Sequence, residues 1–431
     1  MNNNYFIFNE NKCVGCEACV VACVLENGVQ YPEKWRSIFR FNKDKIPGIP
    51  LFNMSLACNH CEDAPCMEGC PSLAYSMDSQ TGAILIDSEL CIGCRYCTWN
   101  CPYEAPKFNP VTSIVEKCNF CNSRLLEIKK PSCAVSCPTG ALDFSFDEID
   151  KKDINPKIEV PDNPSPSIVI QELYNKVGPE IDDELFTNTD FEQGLPSSGI
   201  TAAKELPLLI FTFVISCMTA ISASNILSGF NLGIRISFLL IGALAAVISV
   251  LHLGKKERFW RSILNIRHSW LSREILFFSL YFGLSTVDLL IIKLPKTAIV
   301  LAGLGLLLSI DMLYKPLQWN WKTQWHSGQV LLISMTFFML INQFYTILLI
   351  MLIIRLGLTI LMYSKSKMDI IPIFWILFML KTGLLIYNGF EIWLIIIVYA
   401  IGEIAARITF YNDLSIHPID FRTKNSKKKV L

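Results

Sequence analysis

Apolar residues are distributed so unevenly that the chain divides into two halves. Beyond residue 205, apolar stretches of roughly 16 to 21 residues recur, each long enough for a helix that crosses a hydrocarbon layer about 30 Å thick. Buried helices of a soluble protein would be fewer and shorter. The pattern therefore predicts eight membrane-spanning helices, with a tight hairpin between the fifth and sixth, at residues 206–226, 234–253, 275–292, 297–314, 327–342, 344–363, 370–387 and 392–411.

The first half shows short alternating segments and turns instead. Residues 5–8 and 83–87 predict short strands, each of which leads into a group of cysteines. Residues 144–205 are acidic and rich in turn formers, which predicts a mostly irregular strap that lies against a partner subunit or acts as a flexible linker. The predicted domains are therefore 1–143, the strap at 144–205, and a membrane domain at 206–431.

Composition adds limits on function. The net charge is zero, so nothing points to nucleic acid, and the lysines near the C-terminus fit a solvated tail or a lipid-headgroup contact. The N-terminus has neither the layout of a secretory signal nor a twin-arginine pair. Without evidence of an oxidising compartment, cysteines at metal-ligand spacing are better interpreted as thiolate ligands than as disulfides.

Sixteen of the seventeen cysteines lie between residues 13 and 137, in four runs. Runs one and three have the C-x2-C-x2-C-x3-C spacing of bacterial ferredoxins, in which three thiolates bind one [4Fe-4S] cluster and the fourth binds the other cluster of a pair. Runs two and four lengthen only the middle gap. Run one is Cys13, Cys16, Cys19, Cys23; run two is Cys58, Cys61, Cys66, Cys70; run three is Cys91, Cys94, Cys97, Cys101; run four is Cys118, Cys121, Cys133, Cys137.

Sixteen thiolates supply four ligands to each of four clusters. By analogy with two nested dicluster modules, run one should pair with run four, and run two with run three. The predicted ligand sets are set I, Cys13, Cys16, Cys19 and Cys137; set II, Cys118, Cys121, Cys133 and Cys23; set III, Cys58, Cys61, Cys66 and Cys101; and set IV, Cys91, Cys94, Cys97 and Cys70.

Two other metal centres fit the sequence less well. Four zinc sites would also use cysteines in fours, but zinc ribbons use two CxxC pairs with longer spacers. Haem needs axial histidines inside the spans, and of the five histidines only His252 ends a span, so no haem is expected. Arg95 and Lys117, next to predicted ligands, are either cluster-tuning cations or ordinary surface cations.

Ionisable residues inside membrane spans usually mark a proton path, a quinone pocket or an internal ion pair. Glu403 and Arg407 stand four apart on one helical face, which predicts that they neutralise each other. The roles of Asp288 and Asp311 are left more open, and Arg355 and Lys381 are the other ionisable residues within or at the ends of the spans. Basic loops after the second, fourth and sixth spans, with the basic tail, place the cluster domain on the cytoplasmic side.

The motifs carry a family resemblance. The four runs, with CIGCRYCTWNCPYEAPKFNP at residues 91–110, resemble the iron-sulfur subunit of dimethyl sulfoxide reductase and its relatives among molybdopterin oxidoreductases. The second half is similar to the anchor subunit of that enzyme, with His252-Leu-Gly closing span two and a motif from His268 to Glu274 opening span three. The chain thus looks like a fusion of two normally separate subunits.

The resemblance implies a fold and a function. It implies an α+β ferredoxin-like domain with two nested dicluster modules, followed by an all-α polytopic domain of eight transmembrane helices in the bacterial cytoplasmic membrane. It implies oxidation of menaquinol from the quinone pool, at a quinol site containing His252, Arg273 and Glu274. Electrons would pass through four [4Fe-4S] clusters to a separate molybdopterin catalytic subunit that reduces dimethyl sulfoxide or a similar S- or N-oxide.

Two alternatives stay open at this stage. The same electron path could run in reverse, from a formate or sulfur-compound oxidoreductase into quinone. A redox-driven ion pump would instead use Asp288, Asp311 and Lys381.

Overall fold

The structure is a computed structural model that describes residues 4–30, 33–41, 52–147, 165–171, 200–224, 226–317, 326, 328–363 and 370–414. The chain divides into two compact units, and the first boundary between them along the sequence lies between Ser197 and Ser198. This boundary lies close to the start of the predicted membrane domain. The lysines of the C-terminal tail, together with Lys322, Lys365, Lys367 and His417, lie outside the described residues.

The first unit contains short strands and helices. Its strands are β1 (Tyr5–Asn9), β2 (Ser37–Phe41), β3 (Phe52–Leu56), β4 (Tyr75–Met77), β5 (Ile84–Ile86), β6 (Lys107–Asn109), β7 (Ile114–Glu116), β8 (Leu142–Ser145) and β9 (Ile168–Gln171). Its helices are α1 (Ala18–Asn27), α2 (Pro65–Glu68), α3 (Tyr96–Asn100), α4 (Asn122–Leu126) and α5 (Ser132–Val135). The two strands predicted before runs one and three are confirmed as β1 and β5.

The strands form a three-stranded sheet of order β8-β1-β9 and three antiparallel hairpins, β2-β3, β4-β5 and β6-β7. Alternation along β1 buries Phe6 and Phe8, since successive side chains of a strand point to opposite faces. Phe6, Phe120 and Phe144 meet edge to face, with ring centroids 5.3 to 5.4 Å apart. This small aromatic core joins run four to β1 and β8.

Strand β9 was not predicted. It lies in the segment interpreted as a mostly irregular strap, yet it pairs in parallel with β1, where Phe8 is opposite Ile170. Ile168 and Ile170 are buried in the core of the first unit. Part of the connecting segment therefore belongs to the sheet of the cluster domain.

The described part of the second unit contains eight α-helices. They are α6 (Leu206–Ala223), α7 (Leu232–Val250), α8 (Trp270–Leu290), α9 (Lys296–Leu313), α10 (Val330–Ile341), α11 (Tyr345–Tyr363), α12 (Ile370–Tyr387) and α13 (Ile392–Asp413). Each overlaps one predicted span. Helix α6 is central, because it packs against α7, α9, α10 and α13, and the predicted hairpin between α10 and α11 is present.

Among the residues described, four of these helices are long and apolar enough to cross a membrane: α6, α7, α13, and α9 extended to Leu317. Helix α8 carries three charged residues, and α10 has only 12 residues. The helical character of this unit is confirmed, whereas the count of eight spans stays a prediction.

Candidate functional site: four thiol sets and a buried polar cluster

All four cysteine runs turn through a left-handed residue immediately before their second cysteine. The φ angle is 69° at Gly15, 45° at His60, 67° at Gly93 and 63° at Phe120. Glycine adopts this conformation readily, whereas histidine and phenylalanine adopt it only where the surrounding structure holds them there. At Gly15 a Cβ atom would also lie 2.9 Å from the side-chain oxygen of Asn53. The four runs thus share one local backbone geometry, although their middle gaps differ.

The two non-glycine turns support each other. The rings of His60 and Phe120 stack with centroids 4.1 Å apart and planes 15° apart. His60 Nδ1 accepts a hydrogen bond of 3.0 Å from the backbone N–H of Ile84. The sequence offered no signal for this contact, which ties run two to run four.

Thiols of runs one and four lie together, as the predicted pairing requires. Burial raises the pKa of Cys13, and the neighbouring Cys19, Cys137 and Cys16 thiols raise it further. Burial also raises the pKa of Cys23 to about 12, with added effects from Cys133 and Cys121. The fourth cysteine of each run thus neighbours the first three of the other run.

Runs two and three show the same exchange. Burial raises the pKa of Cys61, and so do Cys58, Cys101 and Cys66. Burial raises the pKa of Cys94, and so do Cys70 and Cys91. Because metal binding requires thiolates, cluster assembly in such buried sets would release protons.

Charge effects between neighbouring thiols order the four sets along a row. Besides burial, the charge of Cys133 in set II raises the pKa of the Cys19 thiol in set I. In addition to burial, the charge of Cys58 in set III raises the pKa of the Cys118 thiol in set II. The charge of Cys66 in set III likewise adds to the effect of burial and raises the pKa of the Cys97 thiol in set IV. The order along the row is therefore I, II, III, IV.

The donor chemistry fits the cofactor that the sequence predicts. Each set offers four soft thiolates, the ligands that iron-sulfur clusters use, and most are buried. Within the described residues, no three His, Cys, Asp or Glu side chains are close enough to bind one metal ion together. The four thiolates of each set match the ligand number and type of one [4Fe-4S] cluster.

Of the two cations next to predicted ligands, Lys117 is the buried one. Its Nζ donates to the carbonyls of Ile84 and Cys118, and its charge acts on Cys66 and Cys101 of set III. Arg95 instead stacks on the ring of Phe108, with 4.0 Å between the guanidinium carbon and the ring centroid. Lys117 is therefore placed to act on set III, whereas Arg95 lies against an aromatic ring.

In the helical unit, the predicted quinol residues have different surroundings. Arg273 donates to the carbonyls of Ile266 and Arg267, at 3.0 and 2.6 Å, and fixes the loop before α8. Half-buried His252 contacts the carbonyl of Ser249 through Nδ1. Arg273 thus has a structural role, whereas the carboxylate of Glu274 has an oxygen without a hydrogen-bond partner among the described residues.

Glu274 is 5 % exposed, and its Oε2 has no hydrogen-bond partner among the described residues. Its charge interacts with Arg407 and with the phenol of Tyr314. A buried carboxyl oxygen without a partner is costly, so such an atom calls for a functional or structural reason.

Glu403 does not pair with Arg407, and the expectation of mutual neutralisation on one helical face is wrong. Glu403 instead binds Arg355 of α11 in bidentate fashion, at 2.6 and 2.9 Å. Tyr399 and Thr336 also contact the Arg355 guanidinium. A neighbouring helix can direct two N–H groups of the guanidinium, in its plane, at the two carboxylate oxygens, which a residue one turn away on the same helix does less well.

Arg407 is used elsewhere in the bundle. Its Nε and Nη2 donate to Thr212 Oγ1 at 3.1 and 3.0 Å, and its Nη1 donates to the Gly328 carbonyl at 2.6 Å. The guanidinium also lies 4.7 Å from the ring centroid of Phe410. Thr212 was not predicted, because a threonine in an apolar helix carries no distinct sequence signal.

Asp288 and Asp311 both bind backbone groups at helix ends. Asp288 accepts from the Leu294 N–H at 3.0 Å and lies 3.6 Å from Lys296 Nζ. Asp311 accepts from the N–H groups of Val330 and Leu331, which begin α10. These contacts give both carboxylates a structural role, and Lys381 lies on an exposed face of α12. No contact among them favours ion translocation.

One open apolar groove of about 640 Å³ lies between α6 and α13. Its lining includes Leu206, Phe213 and Ile408, and it does not include His252, Arg273 or Glu274. The predicted quinol residues therefore stand apart from this groove.

Comparison with known proteins identifies both halves. Residues 50–146 match a 4Fe-4S dicluster domain, and residues 201–419, just over half of the chain, match the DMSO reductase anchor subunit (DmsC). The B subunit of the anaerobic dimethyl sulfoxide reductase of Escherichia coli is 36% identical over 156 residues, which is 34% of this chain and 76% of the relative. The B subunit of the polysulfide reductase of Wolinella succinogenes is 38% identical over 152 residues, 35% of this chain and 79% of the relative.

The thiosulfate reductase electron transfer subunit PhsB of Salmonella typhi is 37% identical over 150 residues, 33% of this chain and 77% of that subunit. These matches define a class, the redox subunits of oxidoreductase complexes. The protein belongs to the DMSO reductase anchor subunit family, and its N-terminal part belongs with the iron-sulfur subunits of such complexes. It is a fused B-C type subunit, with electron-transfer and membrane-anchor parts in one polypeptide.

Proposed function

We propose that this chain oxidises menaquinol and passes the electrons, through four [4Fe-4S] clusters, to a separate molybdopterin-containing subunit that reduces dimethyl sulfoxide or a similar S- or N-oxide. The observation that carries the proposal is the row of four thiol sets, in which each set neighbours the next. The dimethyl sulfoxide reductase relative supports an S-oxide as the substrate, and the thiosulfate and polysulfide reductase relatives support a sulfur compound more broadly.

The proposed cluster ligands are the sixteen cysteines of sets I to IV. When bound, the clusters supply one-electron carriers along the row. This chain aims the sulfurs through the shared left-handed turns and surrounds them with apolar residues. Buried Lys117 places positive charge beside the thiolates of set III.

The proposed proton acceptor of the quinol site is Glu274. Oxidation of one menaquinol releases two electrons and two protons, so the site needs groups that take up the protons. The Glu274 Oε2 is buried and has no hydrogen-bond partner among the described residues, so it is free to accept one. His252 is the second candidate acceptor, and Arg273 holds the loop that begins α8.

The first test removes this acceptor. Glu274→Gln keeps the side-chain shape but cannot take up a proton, so menaquinol oxidation by membranes should fall by about 10²- to 10⁴-fold. The rate is followed with a reduced menaquinol analogue and an artificial acceptor that takes electrons from the clusters. Glu257→Gln, an exposed carboxyl in the preceding loop, is the matched control and should keep the wild-type rate.

The outcomes separate the parts of the proposal. Equal rates in both variants would remove Glu274 from the quinol site. Electron flow only from the clusters into menaquinone would reverse the direction. Anaerobically purified protein should contain about sixteen iron atoms and equal acid-labile sulfide per chain; zinc in place of iron would overturn the cluster proposal itself.

A further inference from the structure

A buried arginine stands between the first two thiol sets. Arg36 is 2 % exposed and lies just before β2, far in the sequence from every cysteine run it meets. Its guanidinium carbon lies 4.8 Å from the ring centroid of Phe6, in the aromatic core. A charge this deeply buried needs compensation, since an unpaired ion in an apolar interior is strongly unfavourable.

The compensation comes from two thiol sets at once. Arg36 Nη1 donates to Ser55 Oγ at 3.1 Å, and that hydroxyl lies 3.4 Å from Cys19 Sγ of set I. Its guanidinium also lies over the Phe6 ring, which packs edge to face against Phe120, the residue between Cys118 and Cys121 of set II. The charge of Arg36 interacts with set II thiols, among them Cys118 and Cys23.

Within the part of the chain that the structure describes, Arg36 forms no ion pair with a carboxylate. Ser55 links it to Cys19 of set I, and its charge interacts with Cys133, Cys118 and Cys23 of set II, so the thiolates are its counter-charges. Lys117 is a second buried cation, whose charge acts on Cys66 and Cys101 of set III and whose Nζ donates to the backbone carbonyls of Ile84 and of Cys118 in set II. The row of sets thus contains two buried cations at different positions.

We propose that Arg36 is a shared positioning residue for the clusters of sets I and II, whose reduction potentials it raises together. An added electron makes a thiolate-bound cluster more negative, and a fixed cation in a low-dielectric interior stabilises that charge. The effect falls with distance, so set IV, at the other end of the row, should scarcely respond. The inference rests on the proposed four clusters.

The test is a redox titration of the complete membrane protein, followed by low-temperature electron paramagnetic resonance. Arg36→Gln should lower the potentials of two of the four clusters and leave the other two near their wild-type values. Arg36→Lys keeps the charge and should shift the same two clusters less. Lys117→Met is the matched variant at the other cation and should lower the potential of a cluster outside the Arg36→Gln pair.

A milder variant covers the case in which Arg36→Gln does not assemble. Ser55→Ala removes only the hydroxyl between Arg36 and Cys19, and it should lower the potential of one cluster, which must be one of the two that respond to Arg36→Lys. A shift of a different cluster, or equal shifts of all four clusters in any variant, would overturn the proposal. So would unchanged potentials in a fully loaded Arg36→Gln protein.

Iron and acid-labile sulfide, measured first on the wild type, separate this inference from the function on which it rests. Low iron in the wild type contradicts the four clusters. Full iron with no selective shift contradicts the role of Arg36 alone.

Discussion

Two buried arginines of the helical unit have different kinds of hydrogen-bond partner. Arg355 forms a bidentate pair with Glu403, and both side chains are almost fully buried. Arg407 instead directs its donors to a threonine hydroxyl and a backbone carbonyl, with aromatic rings around it. Of the two, only Arg355 is hydrogen-bonded to a carboxylate among the described residues, so the two sites should respond differently to mutation.

Neutralising Glu403 should therefore destabilise the bundle. Glu403→Gln leaves the buried charge of Arg355 without a counter-charge. We therefore expect the free energy of unfolding to fall by about 3–5 kcal/mol. Thermal unfolding in detergent measures it. Glu391→Gln, an exposed carboxyl at the other end of α13, is the control and should change stability little.

A double variant separates the stranded charge from lost packing. Leucine at both positions removes both charges, so Arg355→Leu combined with Glu403→Leu should be less destabilising than Glu403→Gln alone. A double variant that is at least as unstable would show that the pair contributes hydrogen bonds and shape, and that charge compensation is secondary.

Strand β9 shows, at the scale of an element, how a connecting segment can belong to a domain core. Its residues alternate, with Ile168 and Ile170 buried and Val169 between them half-buried. The parallel pairing with β1 places Ile170 opposite Phe8, in the core that also holds run four. The strand therefore helps to fix the strands around the thiol sets.

Two substitutions on this strand should differ in effect. Ile170→Ala removes a buried side chain and should lower the free energy of unfolding of the cluster domain by about 2–5 kcal/mol. Val169→Ala, on the less buried face, should cost clearly less. Denaturant-induced bleaching of the iron-sulfur absorbance follows both, and equal midpoints would mean that β9 does not contribute to this core.

Sequence and structure agree best where spacing dictates geometry. Apolar length predicted helices close to the observed ones, because that signal is local. The exchange of the fourth cysteine between runs came from the analogy to nested modules; the thiols of the paired runs lie near each other, and the individual ligand sets stay a prediction. Strand β9 was missed because four residues amid acidic and proline-rich sequence give no periodic signal. Arg36 and the Arg355–Glu403 pair were missed because only the fold brings such distant residues together.

At the scale of the whole molecule, the charges of the loops predict how the helical unit crosses the membrane. An even number of spans places both chain ends on one side, and the loop between α7 and α8 carries basic residues that favour the cytoplasm: Lys255, Lys256, Arg258, Arg261 and Arg267. The loop between α8 and α9 contains Lys293 and Lys296, both near Asp288, which offsets their charge.

Reporter fusions test sidedness and the span count together. A fluorescent protein fused after Leu431 should fluoresce, and alkaline phosphatase at that point should be inactive, because the predicted C-terminus is cytoplasmic. Alkaline phosphatase fused after Lys293, behind α8, should be active, since that loop is predicted on the opposite side. Active phosphatase after Leu431 would place the C-terminus outside. Active phosphatase at both points would require an even number of crossings after α8, in place of the predicted odd number, and eight spans would be wrong.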